Sequence, residues 1–279
     1  MADLSSRPLA EVQRRVAEVH HQRDLQQQLR FYNGWAKDYD QVTSSVVLLK
    51  AFILLSMCRP RLPWYQLLTG FHCCLPRQWL GWGLDVAVLQ YQAPSLAAAF
   101  LASVFQGSPE NALVLDVACG TGLVAQELQA KGFRHFHGLD GSQEMLEHAR
   151  HKGLYEDLKL CLLGQETLPA PEDSYDTTVI VGALSEGQVP SCVIPQLLLV
   201  TKPGGYVCLT TRSNSSNLQY NMELQQLLND LEQQGLWEKV GMQEVEKWER
   251  ATSHQESDQG SGYISGVVYI YQKKIKSLV

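Results

Sequence analysis

The sequence predicts an α/β fold: a doubly wound, Rossmann-like sheet of seven strands with helices on both faces and an antiparallel last strand. Three observations carry that expectation. Short apolar runs alternate with helix-period segments from Asp85 onward. One of those runs, Leu113 to Val117, breaks into a glycine turn that opens a helix. The last two, Trp237 to Trp248 and Val267 to Tyr271, are joined only by the polar segment His254 to Gly262, which predicts a hairpin rather than a crossover.

Composition bounds the function. The chain has 279 residues, enough for one large domain or a domain with an appendage, and 45% of them are hydrophobic, as in soluble proteins. A formal charge of -6 argues against a broad basic face, so nucleic acid is not an expected partner. Seven cysteines, odd in number and without C-x-x-C spacing, suggest neither a zinc site nor a disulfide framework. A reducing setting fits, cytoplasmic or nuclear. The first residues carry Arg7, Glu11, Arg14 and Arg15 with no long apolar run, unlike a signal peptide.

In chain order, Val12 to Leu29 reads as one solvated helix with a partial stripe of Val12, Val16, Val19, Leu25 and Leu29. Tyr32, Trp35 and Tyr39 then recur at i, i+3, i+7 on one helical face. Residues 42–84 differ from their surroundings: none of the 29 acidic residues falls there, while Trp64, Trp79 and Trp82 do. Val46 to Cys58 is apolar but shorter than the ~20 residues of a spanning helix, so at most weak interfacial contact with lipid is expected. The expected division is 1–41 as N-terminal helices, 42–84 as an atypical apolar insertion of an alternative isoform, either poorly ordered or displacing the helix before it from the ligand site, and 85–279 as the core. Asp85 to Phe105 reads as a helix interrupted at Pro94, and Gly107, Ser108 and Pro109 turn the chain into the central strand.

The central turn decides the ligand. Leu113, Val114, Leu115 and Val117 suit a parallel strand covered on both faces, and Gly120 and Gly122 admit a ligand to the backbone. The helix after it runs from Leu123 to the stop at Gly132. Gly120, Gly122 and Ala125 satisfy the G-x-G-x-x-A fingerprint, with Asp140 near the ~20-residue offset of a ribose-binding acid. Asp116, at the strand's carboxyl end, is expected to face the ligand crevice, where it would repel a pyrophosphate and favour the cationic S-adenosylmethionine.

Asp116-Val117-Ala118-Cys119-Gly120-Thr121-Gly122 resembles motif I of the class I S-adenosylmethionine-dependent methyltransferases, with Ala118 in place of a glycine. Gly182 to Pro190 and Val200 to Gly205 resemble later segments of a methyltransferase-like branch of that family. Joining Gln41 to Asp85 also restores the family's passage from lid helix to next helix. The resemblance implies that Asp116 and the Gly120 to Gly122 backbone hold the methionine part of the cofactor, and Asp140 the ribose. It gives Met145 the adenine face, and Gln165, where relatives carry an aspartate, the adenine edge. Ala118, Cys119, Thr121, Gly141, Ser142, Glu166, Gly182 and Ala183 complete the cofactor-binding set, and Tyr32, Trp35 and Tyr39 form a lid.

The remaining elements follow the same scheme. His135 to Leu139 is the second strand, and Ser142 caps a helix with Met145, Leu146 and Ala149 on one face. His135 and His137 share a strand face without a third metal ligand. Leu158 to Leu163 is the third strand, and Ser174 to Val181 the fourth, ending at Gly182. The loop beyond it holds Glu186, the nearest candidate for a general base, and no Asp/Asn-Pro-Pro-Tyr sequence. Val193 to Val200 is a helix, Lys202 to Gly205 a turn, and Tyr206 to Thr211 the fifth strand, with Arg212 and Asn214 emerging for a polar substrate. Leu218 to Gln234 is a core-facing helix, and Lys273, Lys274 and Lys276 are a solvated tail. The implied activity is methyl transfer from S-adenosylmethionine to an oxygen or nitrogen of a small molecule, leaving S-adenosylhomocysteine. A non-catalytic cofactor binder and a nicotinamide oxidoreductase stay open as alternatives.

Overall fold

The computed structural model describes residues 9–20, 24–39, 89–252, 256–257 and 260–275. The 42–84 segment, with its insertion reading and its expected lipid contact, lies outside the described residues. Seven strands form one sheet: β1 (Leu113–Val117), β2 (His135–Asp140), β3 (Asp157–Leu160), β4 (Tyr175–Leu184), β5 (Thr201–Arg212), β6 (Trp237–Arg250) and β7 (Tyr263–Lys273). Their order is β3-β2-β1-β4-β5-β7-β6. The first five run parallel to one another, and β7 is antiparallel to both β5 and β6. The fold is therefore the doubly wound sheet that the sequence predicts, hairpin included.

The helices described are α1 (Leu9–His20), α2 (Leu25–Tyr39), α3 (Ala93–Val104), α4 (Leu123–Ala130), α5 (Gln143–His151), α6 (Ile194–Val200) and α7 (Leu218–Gln233). β1 lies between β2 and β4, and both its faces are covered. Leu115 and Val117 join a core with Leu197 of α6 and Leu224 of α7, while Val114 joins one with Leu101 of α3 and Ala125 of α4. Burying such side chains contributes about 1.5–3 kcal/mol each, and β1 therefore shows no polar alternation. Among the described residues no helix is long and apolar enough to cross a membrane.

Several boundaries differ from the sequence reading. The expected Val12–Leu29 helix is two helices, because Asp24 begins a new one: its carbonyl accepts from the Gln28 N–H at 3.0 Å and its carboxylate from the Gln26 N–H at 3.1 Å. Val12 and Val16 are buried with Trp35 and Leu89, so α1 is docked rather than merely solvated. Pro94 sits in the first turn of α3 and starts that helix instead of interrupting it. β3 stops at Leu160, and β4 continues past Gly182 to Leu184. Lys202 to Gly205 form an irregularity within β5, between the Tyr175–Thr201 and Thr177–Tyr206 pairs.

Lys273 corrects the expected tail. Its side chain is only 14% exposed. The ammonium donates to the carbonyls of Leu198 at 2.8 Å and Thr201 at 2.7 Å, and pairs with Asp173 at 2.6 Å. It thus satisfies orphan carbonyls at the end of α6, where a cation also suits the helix dipole. Lys274 pairs with Glu238, and Lys276 lies outside the described residues.

Lys273→Met keeps the aliphatic stem and leaves those carbonyls without their donor. The expected loss is about 1.5–3 kcal/mol, read as a lower urea midpoint at unchanged slope.

Candidate active site

A cavity of about 220 Å³ opens at the carboxyl ends of the parallel strands. Ala118 and Gly120 follow β1, Asp140 to Ser142 follow β2, Val181 to Leu184 close β4, and Thr210 to Arg212 close β5. Tyr32 and Trp35 cover it from α2, and Tyr91, Trp248 and Glu249 form the wall at the far side.

The turn after β1 makes this space by going left-handed at alternate residues. Ala118 has φ 57°, Gly120 φ 54° and Gly122 φ 90°. The Cys119 N–H donates to the Leu139 carbonyl at 3.0 Å, and the Gly120 N–H to the Asp140 carboxylate at 2.8 Å. The other Asp140 oxygen accepts from the Ser142 N–H at 2.8 Å. Burial raises the pKa of Asp140, and the Ser142, Gly120 and Gly141 N–H groups oppose the rise. Each of its oxygens accepts a backbone N–H and has a second lone pair to offer. A Cβ built on Gly120 meets no atom within 4 Å, so the backbone there is bare toward open space. One built on Gly122 would lie 2.9 Å from the Tyr155 ring.

Hydrogen bonds latch α2 over the cavity. The Ser142 hydroxyl caps α5 by accepting from the Met145 N–H at 3.2 Å and lies 2.5 Å from the Asn33 side-chain oxygen. The Gln28 amide donates to the Gly187 carbonyl, and the Gln188 amide to the Tyr32 hydroxyl at 3.4 Å. The Phe31 and Trp35 rings meet edge-on, 5.3 Å apart. Tyr39 ends α2, and its side chain lies outside the described residues.

Of the residues singled out in the sequence, Tyr32, Trp35, Ala118, Gly120, Asp140, Gly141, Ser142, Met145, Gly182 and Ala183 line the cavity, as does Arg212. Asp116 does not. On a strand buried on both faces it alternates with Leu115 and Val117, which sends its carboxyl behind the turn. There it accepts from the Tyr155 hydroxyl at 2.7 Å, and its other oxygen is buried without a hydrogen-bond partner. Burial pushes its pKa up to about 7, Tyr155 opposing the rise and Asp140 adding to it. Cys119, Thr121 and Gly122 also belong to the turn without lining the cavity, their side chains or Cα turned toward packed neighbours.

Gln165 and Glu166 are exposed and outside the cavity. Glu166 closes its own turn by accepting from the Leu162 N–H at 2.9 Å, and apolar Leu162 and Leu163 line the cavity in their place. Glu186 is exposed as well; its loop is fixed by its N–H on the Asn217 side chain at 2.9 Å. His135 contacts Glu156 at 2.5 Å and His137 the Tyr175 hydroxyl at 3.0 Å.

The sequence reading missed Tyr91, Trp248 and Glu249. Tertiary pairing alone assembles them: the Gln92 N–H donates to the Trp248 carbonyl at 3.2 Å and the Arg250 N–H to the Leu89 carbonyl at 2.7 Å. Tyr91 then presses on the fourth strand end, where a Cβ on Gly182 would come 1.8 Å from its hydroxyl. Arg212 and Glu249 pair across the wall, Nη2 to Oε1 3.0 Å.

A methyltransferase-domain family model matches residues 114–205. Methyltransferase-like protein 27 of Homo sapiens is 48% identical over 238 residues, covering 85% of this chain and 79% of that protein. A ubiquinone biosynthesis O-methyltransferase of Hydrogenovibrio crunogenus is 29% identical over 127 residues, 44% of this chain and 52% of its own. A ubiquinone/menaquinone biosynthesis C-methyltransferase of Rickettsia massiliae is 30% identical over 109 residues, 36% of this chain and 44% of its own.

Two substitutions test the turn. Ala118→Gly removes a left-handed strain of about 1–2 kcal/mol at some cost in chain entropy, so a net gain of about 0.5–1 kcal/mol is expected in urea unfolding. Asp116 binds its proton more tightly folded, near pH 7, than unfolded, near pH ~3.9, so it costs stability increasingly as pH rises between those values. Asp116→Asn is expected to be near neutral at pH 4 and stabilising by up to roughly 4 kcal/mol at pH 8, measured by unfolding at both.

Proposed function

The chain belongs to the methyltransferase family that includes methyltransferase-like protein 27, and we propose that it moves the methyl group of S-adenosylmethionine onto an oxygen or nitrogen of a small molecule. The observation that carries this reading is the cavity floor, where bare Gly120 backbone and the Asp140 carboxylate face one space. That floor fits the cofactor. Asp140 has lone pairs for the ribose hydroxyls, Gly120 admits the methionine part, and Met145 and Leu162 offer an apolar adenine site. The antiparallel β7 speaks against a plain dinucleotide fold, whose six strands run parallel.

When bound, the cofactor supplies a sulfonium-activated methyl group. The chain's own contribution is alignment and exclusion of water. Tyr32 and Trp35 close the cavity, and the latches from Gln28 and Ser142 hold them there. A covered cavity of this size favours a small acceptor, and the net charge of -6 disfavours nucleic acid.

Calorimetric titration of S-adenosylhomocysteine into the wild type and Asp140→Ala tests the reading. Binding by the wild type and at least about tenfold weaker binding by the variant, a loss of about 1.4 kcal/mol, are expected. Equal affinities would remove the ribose role of Asp140, and no binding by folded wild type would remove the reading itself.

A further inference from the structure

The cavity has a second polar centre, away from the Asp140 floor. Arg212 ends β5, Glu249 lies near the end of β6, and their side chains are 18% and 7% exposed. Asp140 and Glu249 are the carboxylates among the described lining residues, and Asp140 already accepts the Gly120 and Ser142 N–H groups. Trp35, Leu89, Tyr91, Val181 and Trp248 give the same cavity aromatic and apolar surface. A buried ion pair gives a fold little net stability, since each ion costs several kcal/mol to desolvate. At a cavity wall its effect falls on whatever enters.

We infer that Glu249 receives the proton of the methyl acceptor, that Arg212 stabilises the oxygen anion formed, and that the acceptor is an aromatic hydroxy compound. This rests on the methyl-transfer reading and deepens it. Arg212 selects oxygen over nitrogen: a neutral amine gains positive charge on methylation, which a guanidinium opposes, whereas an ionising hydroxyl gains negative charge, which it stabilises. Proton affinity selects a phenol over an alcohol. A phenol titrates near ~10, within reach of a carboxylate base, and an aliphatic alcohol near the ~16 of water is not.

The surroundings set Glu249 for this role. Burial raises its proton affinity, Arg212 from β5 lowers it, and Glu256 from the loop before β7 raises it. Tyr32 of α2 and Tyr91 of the segment before α3 feel both charges, and burial raises both phenols, Tyr32 to about 12. They stay protonated as hydrogen-bond donors beside the pair. In the transfer the acceptor oxygen gives an electron pair to the new C–O bond, and the S–C bond breaks with its pair left on sulfur. The acceptor's proton ends on Glu249, which returns it to water after product release.

The test uses the full chain saturated with S-adenosylhomocysteine, with 4-nitrophenol as probe at a pH one unit below its own pKa. The bound probe is expected to show phenolate absorption. Calorimetry in buffers of different ionisation enthalpy is expected to show no proton release, because the proton stays on Glu249. Glu249→Gln is expected to bind S-adenosylhomocysteine within twofold of wild type and, with Arg212 still holding the phenolate but no base beside it, to release the probe's proton to the buffer. A wild type that leaves the probe unbound or neutral overturns the inference, as does wild-type phenolate with a proton released to buffer, or a variant that binds phenolate without releasing a proton. Should the variant not fold, the wild-type spectrum and proton count decide. Failure of the wild type to bind S-adenosylhomocysteine marks the separate failure of the methyl-transfer reading.

Discussion

The hydrogen bond from the Gly120 N–H to the Asp140 carboxylate is the contact on which the site depends. It joins the turn after β1 to the end of β2, and the adjacent bond from Cys119 to Leu139 fixes their register. With both ends held, the backbone accommodates left-handed conformations at Ala118, Gly120 and Gly122, two of them residues without a Cβ. The same carboxylate accepts the Ser142 N–H at the start of α5, so one half-buried acid organises a strand end, a glycine turn and a helix cap. Without it the turn would lose its anchor and the cavity its floor.

The rest of the sheet extends that floor into a chamber. β4 and β5 end beside it, and β6, antiparallel to β7 and so running in the direction of β5, delivers Trp248 and Glu249 to the same rim. α2 closes the top through bonds to the loops after β2 and β4. The chamber therefore has a polar floor of backbone and carboxylate at one end and an ion pair set in aromatic surface at the other. Two chemistries, holding one ligand and ionising another, are separated along the sheet's edge.

The sequence makes the floor legible because its requirements are local. An apolar run, two glycines and an acid at the next strand end lie within one βαβ unit, and Ser142 caps its helix as its position suggests. The orientation of Asp116 was not legible, since a strand covered on both faces shows no alternation to say which way a side chain turns. Gln165 and Glu186 were placed near the site by adjacency along the chain, whereas their loops turn outward on backbone N–H bonds accepted by Glu166 and Asn217. Tyr91 and Glu249 carry no local signal, because a charged residue on an outer strand reads as solvated until the 89–92 segment packs along it. Lys273 misled for the same reason: a lysine near the chain's end reads as tail until its carbonyl acceptors are known.

The hairpin of β6 and β7 also sets an order in time. The Gln13 amide donates to the Ala251 carbonyl at 2.6 Å, joining residues 238 apart in sequence. Contacts of such separation form late, because loop closure must precede them. During synthesis at ~5–20 residues per second the β1–β2 cradle emerges many seconds' worth of chain before Trp248 and Glu249. A nascent chain therefore acquires the donor's seat first, and the wall that ionises an acceptor is added later.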